Sequence, residues 1–146
     1  MSTPRLSSRS TAYAAVLLGL IGAISASDPS FATSARSASD SPQPQIAAGF
    51  ALYKERCVLC HSENLAGGAG PALKGEDFVG QWEGKPLRSL YSRILMTMPG
   101  NDPGSLTPAQ VLTLVSYIAN ENSLAEWKTA FKSPDDLTNI VVRSAK

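Results

Sequence analysis

The chain has 146 residues, enough for one domain with a tail and too few for a multidomain enzyme. Hydrophobic residues make up 43% and charged residues 17%, which suits a packed core and excludes a solvated disordered chain. The formal charge is +1, and loss of residues 1–32 would leave eleven basic and eleven acidic residues, so no basic stripe remains for a nucleic-acid partner.

The N-terminus reads as an export signal. Arg5 and Arg9 form a positive start, and residues 14–26 form a thirteen-residue apolar run. A membrane-spanning helix needs about 20 such residues, so the run fits a signal peptide better than an anchor, although an uncleaved anchor is the competing reading. Ser30-Phe31-Ala32 places small residues for cleavage after Ala32, and a cut near Ser25 or Ala26 stays open. The predicted organisation is a signal peptide over 1–32, a flexible Ser/Ala/Pro linker over 33–45 and a domain over 46–142. Export implies the periplasm or a similar oxidising space, with no membrane segment left after cleavage.

Ile46, Gly49, Phe50, Tyr53 and Cys57 lie on one face of a predicted amphipathic helix. Gly49 costs about 1 kcal/mol there relative to Ala, a cost that the close approach of another helix would offset. Eight glycines and prolines over residues 62–86 predict loop with at most a short helix. Leu87, Leu90, Tyr91, Ile94 and Leu95 form a second helical stripe, on which Met96 is expected to be core. Residues 98–104, Met-Pro-Gly-Asn-Asp-Pro-Gly, must be a turn-rich loop. Thr107, Pro108 and Gln110 then form a capping box with proline at the first helical position, and Leu106 and Val111 stand at staple positions. That third helix carries Val111, Leu114, Val115 and Ile118 and fades near Asn120. Trp127 and Phe131, four apart, predict a short tail helix. No strand-like alternation occurs, so the expected fold is all-α, with three main helices and long loops. So thin a core needs a bound group to complete it.

Both cysteines and the only histidine fall in Cys57-Val58-Leu59-Cys60-His61. This spacing is the signature of covalent c-type haem attachment, because i, i+3 and i+4 set both sulfurs and the imidazole on one side of a helical turn. A disulfide would leave His61 unexplained, a thioredoxin-like pair needs a βαβ context, and zinc needs a fourth ligand that the chain lacks. One motif implies one haem c, held through Cys57 and Cys60. With no second histidine, the other iron ligand is expected from methionine. Met98 opens the Pro/Gly loop and can cross a haem face, so the expected metal ligands are His61 and Met98.

From Ile46 to about Val142 the chain resembles the class I c-type cytochromes, through Gly49, Tyr53 and Cys57 in the first helix and Leu114 with Tyr117 in the last. The resemblance implies a cytochrome c-like fold wrapped around one haem, with Gly49 at the crossing of the terminal helices. Gly70-Pro71-Ala72-Leu73 is similar to the family segment after the haem motif, which implies that the Pro71 carbonyl accepts the second ring N–H of His61. Leu90-Tyr91-Ser92-Arg93-Ile94, Thr97-Met98-Pro99 and the tail from Ser133 to Ile140 resemble cytochrome c domains associated with periplasmic quinoprotein dehydrogenases. Trp82 and Arg93 are candidate donors to the haem propionates, against ordinary packing for Trp82 and a solvated helix face for Arg93.

The expected function is single-electron transfer between a periplasmic dehydrogenase, quinoprotein or other, and an oxidase or another cytochrome. The protein would act as a monomer or as a fixed subunit of a dehydrogenase complex. No nucleophile–base pair is present, so an electron-transfer protein rather than an enzyme is expected. The rival readings are a haem-based sensor or gas-binding module, or a peroxidase-like enzyme, each of which needs an open iron position.

Overall fold

The computed structural model describes residues 40–143, and the leader with most of the linker lies outside them. Five α-helices follow in order: α1 (Gln43–Arg56), α2 (Val58–His61), α3 (Glu76–Trp82), α4 (Leu87–Thr97) and α5 (Pro108–Glu121). A 3-10 turn spans Pro134–Leu137. The fold is all-α, and among the described residues the only extended pairing is a bridge between Pro86 and Val141. No helix among the described residues is long and apolar enough to cross a membrane.

The N-terminal helix starts earlier than its apolar stripe. Pro42 caps α1, so Gln43–Gln45, expected as the end of the linker, form its first turn. Proline suits this position because its missing N–H would have no intrahelical partner there. Gln45 is also a tie point: its Oε1 accepts from Ser116 Oγ at 2.8 Å and Phe131 N at 2.9 Å, and its Nε2 donates to Phe131 O at 2.8 Å.

Helices α1 and α5 cross at Gly49. A Cβ on Gly49 would sit 2.0 Å from the Thr113 carbonyl oxygen and 2.8 Å from Tyr117 Cβ, so no other residue fits without moving a backbone. Beside the crossing, the Tyr117 ring meets Phe50 at 5.4 Å and Tyr53 at 5.3 Å, in tilted geometry suited to aromatic pairs.

The last main helix begins as its local sequence dictates. Thr107 Oγ1 accepts from Gln110 N at 3.3 Å, and Gln110 Oε1 accepts from Thr107 N at 2.9 Å, a complete capping box. Leu106 and Val111 are both buried. Leu87, Leu90, Tyr91 and Ile94 of α4 pack with Val111, Leu114, Val115 and Ile118 of α5 into one core.

Two expectations are corrected. Met96 is 72% exposed and not core. The stripe 87, 90, 94 continues four residues on at Met98, while Met96 points away at i+2 from Ile94. No helix forms around Trp127 and Phe131; their rings stack at 5.4 Å across a bend at Lys128 and Thr129. The backbone groups that a helix would use are already engaged: both Phe131 groups bond Gln45, and Ala130 N donates to Asp40 O at 2.9 Å. The tail then runs beside the α3–α4 connection, with Leu87 N bonded to Ile140 O at 2.8 Å, Val142 N to Lys85 O at 2.9 Å and Gly84 N to Val142 O at 3.0 Å.

Candidate haem site

The attachment turn is built from short-range backbone bonds. Cys57 leaves helical geometry at φ −123°, and its carbonyl accepts from Cys60 N at 3.1 Å and His61 N at 3.0 Å. The glycine-rich loop then folds back underneath, with Gly70 N donating to Cys60 O at 2.8 Å and Gly67 N to His61 O at 3.1 Å. Gly70 lies flat against the imidazole, where a Cβ would stand 2.9 Å from His61 Cε1. This close approach is the physical content of the Gly70-Pro71 motif.

His61 is buried, and its Nδ1 lies 2.7 Å from the Pro71 carbonyl oxygen. A carbonyl only accepts, so Nδ1 carries the proton and Nε2 keeps its lone pair for a metal. The Tyr53 hydroxyl donates to Ser62 O at 2.6 Å, which ties the turn to α1. Burial, helped by the neighbouring Cys57 and Tyr117, pushes the Tyr53 phenol up to about 12. Both cysteines are free, Cys57 half-buried and Cys60 exposed. Burial pushes the Cys57 thiol up to about 11 against the opposing pull of Arg56. The unattached sulfur is therefore a thiol at neutral pH.

All seven residues singled out from the sequence line one cavity of about 320 Å³: Cys57, Cys60, His61, Pro71, Trp82, Arg93 and Met98. That volume lies in the range of about 300–1,000 Å³ for small-molecule sites. Its walls are apolar, with Leu73, Phe78, Leu90, Ile94, Leu106, Leu114 and Ile118 contributing. Met98 is extended, with φ −121° and ψ 153°, where the chain leaves α4, and Pro99, Gly100 and Asn101 continue along the same cavity. Trp82 lines the cavity, and its Nε1 is buried without a hydrogen-bond partner, as is Trp127 Nε1 away from the cavity.

Sequence reasoning did not single out Arg56 and Lys85. Both line the cavity with Arg93, and no carboxylate is among the described residues that do so. Lys85 stands three residues after Trp82, but the chain leaves the helix at Glu83 and turns at Gly84, φ 74°, so helical spacing does not reveal it. An apolar slot, a buried imidazole, two sulfurs at its edge and a cationic rim fit a haem with its two carboxylates.

Comparison with known proteins agrees. The family model described as cytochrome C oxidase, cbb3-type, subunit III matches residues 44–118. Cytochrome c-550 of Bacillus subtilis (strain 168) is 34% identical over 82 residues, which cover 56% of this chain and 55% of that protein. The sulfane dehydrogenase SoxCD from Paracoccus pantotrophus contains a chain similar in fold, with TM-score 0.53 and 20% identity over 66% of this chain and 52% of its own length. The present chain thus spans about half the length of either relative.

Proposed function

From the premise that this chain belongs to the c-type cytochrome family matched over residues 44–118, a family of electron-transfer domains, we propose that it carries single electrons through one haem c bonded to Cys57 and Cys60. The observation that supports this reading most is the convergence of Cys57, Cys60, His61 and Met98 on one cavity, with His61 Nδ1 already engaged by Pro71.

A haem bound in this cavity supplies a reversible one-electron couple, whose potential is raised by Met/His ligation. The chain's own residues do the rest. His61 would offer Nε2 to the iron, with the Pro71 carbonyl holding its tautomer and ring angle. Met98 presents a soft thioether from the start of the loop. The apolar walls would exclude water from the group and lower the local dielectric constant, and the cationic rim of Arg56, Lys85 and Arg93 would offset the charge of its carboxylates. Cys60 is exposed, so the attached edge is also the side from which electrons enter and leave.

The leader pattern at 1–32 supports export to the periplasm, and the proposed exchange runs from a dehydrogenase, quinoprotein or other, to an oxidase or another cytochrome. Co-purification with a large partner would identify a fixed subunit; isolation as a monomer would identify a shuttle.

An optical spectrum of protein matured with haem-attachment machinery tests the reading. The expected ferric form has a far-red sulfur-to-iron band, lost in Met98→Ala, and the ferrous form is unchanged by carbon monoxide. A high-spin ferric spectrum that shifts with carbon monoxide on reduction would instead make the protein a haem-based sensor or an enzyme.

A further inference from the structure

The chain leaves α4 at Met98 and does not enter another helix until Pro108. Residues 100–105 of this loop are exposed, between the buried Pro99 and Leu106. Their backbone bonds are local: Asp102 N donates to Pro99 O at 2.9 Å, and Ser105 N to Asp102 O at 3.3 Å. One bond leaves the loop. Arg56 Nη2 donates to Ser105 Oγ at 3.2 Å, and among the described residues no other hydrogen bond joins residues 99–105 to the rest of the chain.

Arg56 ends α1, directly before Cys57, and is half-buried where it lines the cavity. Met98, Pro99, Gly100, Asn101 and Leu106 line the same cavity from the loop. The bond to Ser105 therefore ties the attachment turn to the loop that carries the proposed second iron ligand, across 49 positions of sequence. A single bond between accessible groups adds little to global stability. It weighs more on the local opening of a segment with few other ties.

We propose that Arg56 is a latch on the Met98 loop: through Ser105 it holds the loop closed over the cavity, and so sets how often the sixth iron position opens to a small neutral ligand. This inference rests on the haem reading above, with Met98 as a ligand. Arg56 is a positioning residue in it, because it acts through Ser105. Loss of the bond shifts the balance toward the open loop, and a ligand that binds only the open form binds faster in proportion to its population.

The test follows imidazole binding to the ferric, haem-loaded chain, read as loss of the far-red band. Arg56→Leu and Ser105→Ala should each raise the binding rate constant about two- to tenfold, the worth of one hydrogen bond. The double variant should raise it no further, because both changes remove the same bond. Ser105→Thr keeps a hydroxyl and should match wild type. Lys54→Gln removes an exposed charge from the same helix and should also match it. A wild-type rate in Ser105→Ala overturns the proposal; so do additive effects in the double variant, or an equal rise in Lys54→Gln. Ser105 is exposed, so its variants keep the fold. Failure of the haem reading is separately visible, as a wild-type protein that lacks the far-red band before imidazole is added.

Discussion

Tyr53 joins three parts of the molecule through one side chain. Its ring packs on Tyr117 of α5, its backbone belongs to α1, and its hydroxyl donates to Ser62 just after the attachment turn. Burial is the main reason its phenol titrates near 12 and not at the ordinary 10.0. Between those values the unfolded chain releases the proton and the folded chain keeps it. Stability is therefore full below about pH 10 and is lost as pH rises toward about 12. In Tyr53→Phe, chemical denaturation as a function of pH should show a flatter fall over that window. At neutral pH the same variant should lose about 1–2 kcal/mol, because the Ser62 carbonyl loses its donor. A pH profile identical to wild type would refute the assignment.

At the scale of elements, the crossing of α1 and α5 is the most constrained contact. Gly49→Ala puts a methyl group into the Thr113 carbonyl, so the helices must separate. The expected loss is at least about 2 kcal/mol in denaturant unfolding, although alanine is the better helix former. By contrast, Ala48→Gly, on the exposed face of the same helix, should cost only about 1 kcal/mol. Elements were legible in the sequence wherever their cause is local. Thr107-Pro108-Ala109-Gln110 contains its own capping bonds, and the Cys57–His61 turn contains its own geometry. The tail was not legible, because Gln45, some 86 residues from Phe131, decides whether that backbone is helical. The start of α1 was missed for a related reason: Gln43–Gln45 carry no apolar stripe, and what fixes Gln45 is Ser116 and the tail. Lys85 escaped because its backbone is held by Val142, in a tail segment more than fifty residues away.

For the molecule as a whole, the cavity opens at an exposed rim but is floored by core side chains. Leu90, Ile94, Leu114 and Ile118 face both the cavity and the packed interior. A group filling that space joins α4 to α5 as core side chains do elsewhere, so attachment and stability are linked. The variant Cys57→Ala/Cys60→Ala, prepared without attached haem, should lose several kcal/mol on the scale of a domain's total of about 5–15 kcal/mol. Near-ultraviolet circular dichroism should weaken more than far-ultraviolet, since packing is lost before helix. A melting curve as sharp and as high as that of the haem-loaded chain would show that the core is complete on its own.

The Gly49–Thr113 crossing also imposes an order in time. Bonds that shape the attachment turn join residues no more than ten apart, from Cys57 to Gly70 N on Cys60. The crossing joins positions 64 apart and cannot close until α5 is present. Local bonds form faster than distant ones. In a chain that emerges N-terminus first, the two sulfurs and the imidazole are thus arrayed while the C-terminal helix is still to come. If haem is attached at Cys57 and Cys60 as proposed, the attachment step would meet an open segment, and closure of α1 on α5 would follow it.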